Sequence, residues 1–271
     1  ASYSRLERCR SATEISHGFF REAALAHGWL SGFEAHSISE VSSVGSGIGA
    51  SSALCVAMCG AFARAKERRD GAVISGTMAE EWRMERAKEA WHIEIDRLFR
   101  PIGRQDHMAA AFGGLRLYRF EGSSAEVAET LSADDAQWVA DHLLLLALPI
   151  GHESGAILES VVRMEQLEDA HMAVDAALTA IRSRSPSELG KSLSLGQSSK
   201  RLIRGAVTED VARAIAIVCG LDGAYGAKVC GAGGGGHLVV ACARGVRKRA
   251  VEATGLVPLP IEPDWEGLVV T

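Results

Sequence analysis

Apolar positions in the first half of the chain follow a helical period in two places. Residues 53–62 are apolar almost all round, which is typical of a buried helix. Residues 80–99 carry apolar side chains on one helical face and charged side chains elsewhere, so we predict an amphipathic helix here. The residues of its predicted core stripe are Met84, Trp91, Ile95 and Leu98.

Other segments predict strands as well as helices. Alternating or continuous apolar runs predict strands over residues 33–41, 115–120, 143–149, 227–230 and 237–242. Further helices are predicted over residues 18–27 and 105–112, within 155–182, over 187–203, and from an N-cap at Thr208 to Gly220. Because these elements do not alternate as βαβ units, we predict an α+β fold with helices on largely antiparallel sheets. The polar stretch 121–126 predicts two domains, 1–122 and 123–271.

Composition and charge exclude several classes of protein. The 271 residues carry a formal net charge of −5 with no basic stripe, which argues against nucleic acid as a partner. Apolar runs are too short for a membrane helix, and no signal sequence is evident, so we expect a cytoplasmic protein. Six cysteines without zinc-ligand spacing predict mostly reduced core residues. A start at Ala1 fits initiator removal or a chain that lacks its natural beginning.

Residues 45–52 form a glycine-serine turn that leads directly into the apolar helix. Glycines let a backbone approach an anion closely, and a helix N-terminus offers unpaired N–H groups, so the turn suits a phosphate. A serine-capped turn without a ligand is one alternative. A dinucleotide fingerprint is another, since Gly45, Gly47 and Ala50 have its spacing and Asp70 follows. No Gly-Lys-Ser/Thr follows, which excludes a Walker loop.

Glu94 and Asp106 flank a Pro-Ile-Gly break that predicts a return of the chain. Two such carboxylates fit phosphoryl transfer, in which one holds Mg²⁺ and the other accepts the alcohol proton. Ordinary surface acids are the alternative. Arg104 either pairs with Asp106 or offsets phosphate charge.

A second glycine run, residues 231–236, implies a close backbone approach either to a ligand or to another strand. Three histidines adjoin these features without metal-ligand spacing, and we interpret them as structural. They are His92, His107 and His237.

Taken in order, these motifs resemble those of the GHMP kinase superfamily, which phosphorylates small metabolites. Within it, several segments are similar to the D-glycero-D-manno-heptose 7-phosphate kinases. Those segments are residues 3–7, 14–22, 91–96, 101–106 and 109–115, with an insertion expected around 66–82.

The resemblance implies a two-domain fold and a set of functional residues. In the implied fold, the N-terminal ATP-binding domain resembles the second domain of a ribosomal protein, and the C-terminal domain is ferredoxin-like. It implies ATP and Mg²⁺ as cofactors, a sugar phosphate as the substrate, and leaves a homodimer open. Residues implied at the ATP phosphates are Gly45, Gly47, Gly49, Ser51, Ser52, Gly231, Gly233 and Gly234. Ser51 and Glu94 are implied at the metal, Asp106 and Arg104 in catalysis, and Arg5, Lys200 and Arg201 at the acceptor phosphate.

Three departures from the family pattern bear on the affinity for the nucleotide and on the identity of the substrate. Ser43 and Ala50 stand where the family has proline and serine, and residues 195–199 lack an expected Asn-Trp pair. The family's first strands and its Gly-Gly-Gly-Thr-Asp motif belong upstream of this sequence, so either the record is incomplete or part of the acceptor site is lost. The implied function is phosphorylation of the anomeric hydroxyl of a heptose 7-phosphate or a close relative. Alternatives are a kinase for a hexose or octose phosphate, and a non-catalytic nucleotide- or sugar-binding protein.

Overall fold

The structure, a computed structural model, describes residues 6–39, 46–72, 79–149, 164–201 and 203–270. The helices in these ranges are α1 (Gly18–Ala26), α2 (Ala50–Arg69), α3 (Glu80–His92), α4 (Gln105–Phe112), α5 (Ala133–His142), α6 (Met164–Ser183), α7 (Pro186–Arg201), α8 (Glu209–Cys219) and α9 (Val246–Thr254). The strands are β1 (Arg116–Glu121), β2 (Ser124–Thr130), β3 (Leu143–Ala147), β4 (Ala224–Val229), β5 (His237–Cys242) and β6 (Val257–Leu259).

The chain divides into two compact units. Unit 1 comprises Ala1–Glu40, Ser51–Gly113 and Trp265–Thr271, and unit 2 comprises Val41–Ala50 and Gly114–Asp264. The boundary that the polar stretch suggested, after residue 122, falls at the turn of the β1–β2 hairpin. The assignment of domains 1–122 and 123–271 stays a prediction.

Unit 1 is built mainly from helices. The apolar run of α2 is buried on one side, with Cys55, Val56 and Phe62 among its core residues. The predicted burial is confirmed only in part, because residues 53, 57 and 61 are exposed. Basic side chains occupy the last turn of α2, where they complement the negative end of the helix dipole.

The buried face of α3 differs from the predicted one. Met84 and Trp91 are only half-buried, as are Ile95 and Leu98, and the deeper face carries Ala87, Ala90 and the polar Arg83. The guanidinium of Arg83 donates hydrogen bonds to the backbone carbonyls of Ala111, Phe112 and Glu266. A buried arginine is tolerated because these bonds satisfy it, and apolar periodicity alone cannot reveal such a partner.

The strand predicted over residues 33–41 is wrong within the part that the structure describes. Residues 33–39 form no ladder with a described strand, and Ile38 is 98% exposed. Alternation of apolar residues gives a strand only where a neighbouring strand pairs its backbone groups. Residues 40 and 41 lie outside the described residues.

Unit 2 confirms the α+β prediction with antiparallel sheets. β1 and β2 form a hairpin, and a four-stranded sheet has the order β4-β5-β3-β6 with every neighbour antiparallel. One face of α8 buries Val211, Ala214 and Val218 in a core with residues of this sheet. The predicted N-cap of α8 is confirmed, because the Thr208 hydroxyl accepts a hydrogen bond from the Val211 N–H at 3.3 Å.

The described residues also answer two questions raised by the composition. None of their helices is long and apolar enough to cross a membrane. The cysteines are free; Cys55, Cys59 and Cys242 are buried as expected, whereas Cys9 and Cys219 are exposed.

Candidate functional site

The first glycine turn, residues 46–49, leads into the N-terminus of α2. Gly47 and Gly49 adopt φ angles of 68° and 77°, which side chains disfavour. Ser51 and Ser52 lie in the first turn of the helix, Ser51 half-buried and Ser52 buried. Because the first N–H groups of a helix have no partner within it, this end can receive an anion. Gly45, also predicted at the phosphates, lies outside the described residues.

The second glycine turn, residues 231–236, joins β4 to β5 in unit 2. Gly231, Gly233 and Gly234 have φ angles of 58°, 98° and 79°. A β-carbon on Gly231 would lie 2.7 Å from the α-carbon of Gly47, and one on Gly233 would lie 2.4 Å from the Ala206 carbonyl oxygen. Real atoms cannot approach so closely, so the neighbouring backbone excludes a side chain at both positions. The two glycine turns, far apart in sequence, therefore lie backbone against backbone within unit 2.

Two buried polar side chains hold the carbonyl groups of these turns. His237 Nδ1 lies 2.5 Å from the Ser46 carbonyl oxygen. The Lys200 ammonium donates to the Gly231 carbonyl oxygen. Lys200 is 7% exposed, whereas Arg201, at the end of α7, is exposed. Arg5, the third cation predicted at the acceptor phosphate, lies outside the described residues.

Glu94 is buried in unit 1, in the five-residue π-helical turn Ile93–Arg97 that continues α3. His107 Nε2 lies 3.2 Å from its Oε1 atom, and both side chains are about 1% exposed. The Oε2 atom of Glu94 has no hydrogen-bond partner but forms an ion pair with Arg100 Nη1 at 3.9 Å. π-helical turns are frequent at functional sites. His107, interpreted from the sequence as structural, thus contacts a candidate metal ligand.

Asp106 occupies the second position of α4 and is half-buried. The positive end of the helix dipole favours a charged carboxylate at this place. The contact between His107 and Glu94 brings the start of α4 against the π-helical turn. The meeting of the Glu94 and Asp106 carboxylates themselves stays a prediction. Arg104, just before α4, places its guanidinium 5.3 Å from the Trp91 ring centre.

The described residues gather no group of three or more histidine, cysteine or acidic side chains that could hold a metal. Mg²⁺ does not require such a cage, because it is commonly held by one or two carboxylates together with substrate phosphates and water. The Oε2 of Glu94, which has no hydrogen-bond partner, is therefore compatible with a magnesium ligand.

Comparison with known proteins gives a family for part of the chain and a fold for the whole. Residues 177–254 match the family model described as GHMP kinases C terminal. A search of curated proteins finds no significant match.

Solved structures share the fold over most of the chain. A candidate sugar kinase from Campylobacter jejuni has a TM-score of 0.64 and 22% identity, over 92% of this chain and 72% of that one. A D-glycero-D-manno-heptose 1-phosphate kinase from Bacteroides thetaiotaomicron has a TM-score of 0.65 and 19% identity, over 94% and 74%. A galactokinase from Lactococcus lactis has a TM-score of 0.59 and 13% identity, over 89% and 71%.

Proposed function

Because the chain has the GHMP kinase fold and carries a GHMP kinase C-terminal domain, we propose that it is an ATP- and Mg²⁺-dependent sugar-phosphate kinase. It transfers the γ-phosphate to the anomeric hydroxyl of D-glycero-D-manno-heptose 7-phosphate or a close relative. ADP and a sugar 1,7-bisphosphate are the products.

The observation that carries the proposal is the meeting of the two glycine turns in unit 2. Five glycines of these turns adopt positive φ angles, a backbone conformation that is unfavourable for residues with a side chain. They are Gly47, Gly49, Gly231, Gly233 and Gly234. Successive backbone N–H groups in such turns form anion-binding concavities. In the second turn, the N–H groups of Gly233 and Gly234 already donate to the Cys230 and Ala206 carbonyl oxygens. We assign the polyphosphate of ATP to these turns and to the N-terminal turn of α2, where Ser51 and Ser52 lie. A dinucleotide fold is a weaker explanation, because the sheets described here are antiparallel.

We assign Mg²⁺ to Glu94 and Ser51. Oxygen donors such as these suit this ion, and Glu94 has a buried oxygen without a hydrogen-bond partner. When bound, the ion supplies charge neutralisation at the phosphates. His107 holds the other oxygen of Glu94 and so fixes the orientation of the carboxylate.

We assign Asp106 as the group that accepts the proton of the acceptor hydroxyl. In the transfer, this hydroxyl oxygen bonds to the γ-phosphorus, its proton passes to the Asp106 carboxylate, and the bond to the β-phosphate oxygen breaks. Asp106 lies in the first turn of α4, where the positive end of the helix dipole favours a negative charge. Arg104 is assigned to the negative charge on the transferred group.

The choice of a heptose acceptor is supported by the heptose-kinase-like segments of the sequence and by the heptose kinase among the structural neighbours. The acceptor's own phosphate needs cationic partners, for which Arg5 and Arg201 are proposed.

The experiment is phosphorus NMR of the purified protein with Mg-ATP and D-glycero-D-manno-heptose 7-phosphate. A new anomeric phosphate signal that grows with ADP supports both the reaction and the acceptor. Parallel samples contain heptose 1-phosphate, hexose phosphates and octose phosphates, and a signal with one of these reassigns the acceptor. If ATP binds and stays intact with every sugar, the chain is a binding protein and the kinase proposal is wrong.

A further inference from the structure

Lys200 and His237 share an arrangement that the proposed reaction does not use directly. Lys200 donates from Nζ to the carbonyl of Gly231 in the second glycine turn, and His237 Nδ1 lies 2.5 Å from the carbonyl oxygen of Ser46 in the first. A carbonyl oxygen can only accept, so Nδ1 carries the hydrogen. Each glycine turn thus receives a hydrogen bond from a buried side-chain donor.

Both placements are unusual for these residue types. Lys200 and His237 are 7% and 9% exposed, and lysine is rarely buried because removing its charge from water is costly. The same helix carries Lys191 in the common arrangement, exposed and paired with Glu188. The packing of α7 therefore does not by itself explain a buried ammonium group at position 200.

Holding these carbonyl groups has a consequence for an anion. A carbonyl oxygen is the negative end of the peptide dipole and repels a phosphate. The carbonyl oxygens of Ser46 and Gly231 are bound to buried donors. These bonds fix the orientation of the peptide groups on both sides of the contact between Gly47 and Gly231. Donors held in place before binding cost less to organise when the charge arrives.

We infer that Lys200 and His237 are positioning residues for the nucleotide's phosphates, acting through the carbonyl groups of Gly231 and Ser46. This inference rests on the proposed nucleotide binding. It gives Lys200 a role at the nucleotide instead of at the acceptor phosphate.

The first test compares the affinities of ADP and adenosine, measured by calorimetry on the full chain. Lys200→Met should weaken ADP binding about tenfold, which corresponds to roughly 1.4 kcal/mol, and leave adenosine binding unchanged. The ratio of the two affinities reports on the phosphates and does not depend on the fraction of active protein. Lys191→Met, on the same helix, is the matched control and should leave both affinities unchanged.

The second test uses two conservative replacements of His237. Asn places an N–H group near the position of Nδ1, whereas the amide of Gln extends toward the position of Nε2. His237→Asn should therefore keep most of the ADP affinity, and His237→Gln should lose about as much as Lys200→Met. His142 makes the same kind of bond to the Trp138 carbonyl, away from the glycine turns, so His142→Gln should leave ADP binding unchanged.

The outcomes distinguish a failure of the proposed function from a failure of the positioning role alone. If the wild-type protein binds neither ADP nor ATP, the proposed function is wrong. If the wild-type protein binds ADP and the Lys200 and His237 variants bind it equally well, only the positioning inference fails. It also fails if ADP and adenosine weaken together, or if Asn and Gln at position 237 behave alike.

Discussion

His107 and Glu94 form a hydrogen bond in the interior of unit 1, with 3.2 Å between Nε2 and Oε1. A carboxylate only accepts, so Nε2 carries the proton and the histidine directs one carboxylate oxygen. The other oxygen, Oε2, is buried without a hydrogen-bond partner. An ionised carboxylate is costly to bury unless its oxygens are paired, which makes this atom suitable for a cation that arrives with the nucleotide.

Replacing Glu94 with Gln should raise the magnesium concentration needed for half-maximal rate by about tenfold or more, because ligand loss weakens metal binding at least as much as loss of a supporting contact. The measurement is the initial rate against free Mg²⁺ at saturating ATP. Gln keeps the shape of the side chain and a carbonyl oxygen for His107. Glu85→Gln changes an exposed acid of the same helix and should leave the titration unchanged. An unshifted titration for Glu94→Gln would remove this residue from the metal site.

Local signals in the sequence predicted much of unit 2 and less of unit 1. The cap at Thr208, the apolar strand β3 and the glycine turn before His237 depend on neighbouring residues, and the structure contains all three. The deep face of α3 depends instead on Arg83, whose backbone partners include Glu266, far along the chain. A partner at that distance leaves no mark on the local pattern of apolar residues.

The candidate site shows the same limit. The glycine-rich sequences predicted the turns around Gly47 and Gly231, and the order of these motifs along the chain resembled that of a known family. Their contact with each other follows from the tertiary fold. The contacts of His107 and His237 could not be predicted, because a lone histidine in a sequence looks the same whether it holds a functional group or fills a core.

The contact between the glycine turns predicts the effect of a single methyl group. Gly231→Ala would place a β-carbon 2.7 Å from the α-carbon of Gly47 and would also strain a backbone with φ of 58°. Gly255→Ala has nearly the same φ, 66°, and open space around the new atom, so it carries the backbone strain alone, about 1–2 kcal/mol. Chemical denaturation of both variants should show a larger loss of unfolding free energy for Gly231→Ala.

The nucleotide separates this effect from a general loss of stability. Gly231→Ala should also weaken ADP binding, whereas Gly255→Ala should not. Equal losses of stability in the two variants would mean that the turns are not packed as closely as described.

A capping box at the start of α5 predicts a pH-dependent stability. The Ser132 hydroxyl donates to Asp135 Oδ2 at 2.7 Å and accepts from the Asp135 N–H at 3.2 Å, and the Ser132 N–H donates to the same carboxylate. These hydrogen bonds lower the pKa of Asp135 below its ordinary value. A lowered pKa in the folded state stabilises the fold above the unfolded-state pKa of about 4, and the gain is lost as the pH falls through the folded-state pKa.

Ser132→Ala should therefore lower the free energy of unfolding by about 1 kcal/mol at pH 6, and the difference from wild type should narrow at pH 3. Urea denaturation at the two pH values measures it. Ser198→Ala removes a hydroxyl that bonds only to a backbone carbonyl and should show a difference that does not change with pH. If the difference in unfolding free energy between Ser132→Ala and wild type is the same at pH 6 and pH 3, the role of Asp135 is contradicted.

Asp106→Asn is the sharpest test of the assigned chemistry, because it removes the proton acceptor with almost no change in shape. Turnover should fall by about 10² or more, as expected for loss of a general base, while the affinity for ATP stays near the wild-type value. The residue lies in the first turn of α4, so a neutral Asn also loses a favourable interaction with the helix dipole. Asp96→Asn changes an exposed acid that bonds to His92 in unit 1 and should leave turnover unchanged. If turnover in Asp106→Asn stays at the wild-type level, another group takes the proton and the assignment of Asp106 is wrong.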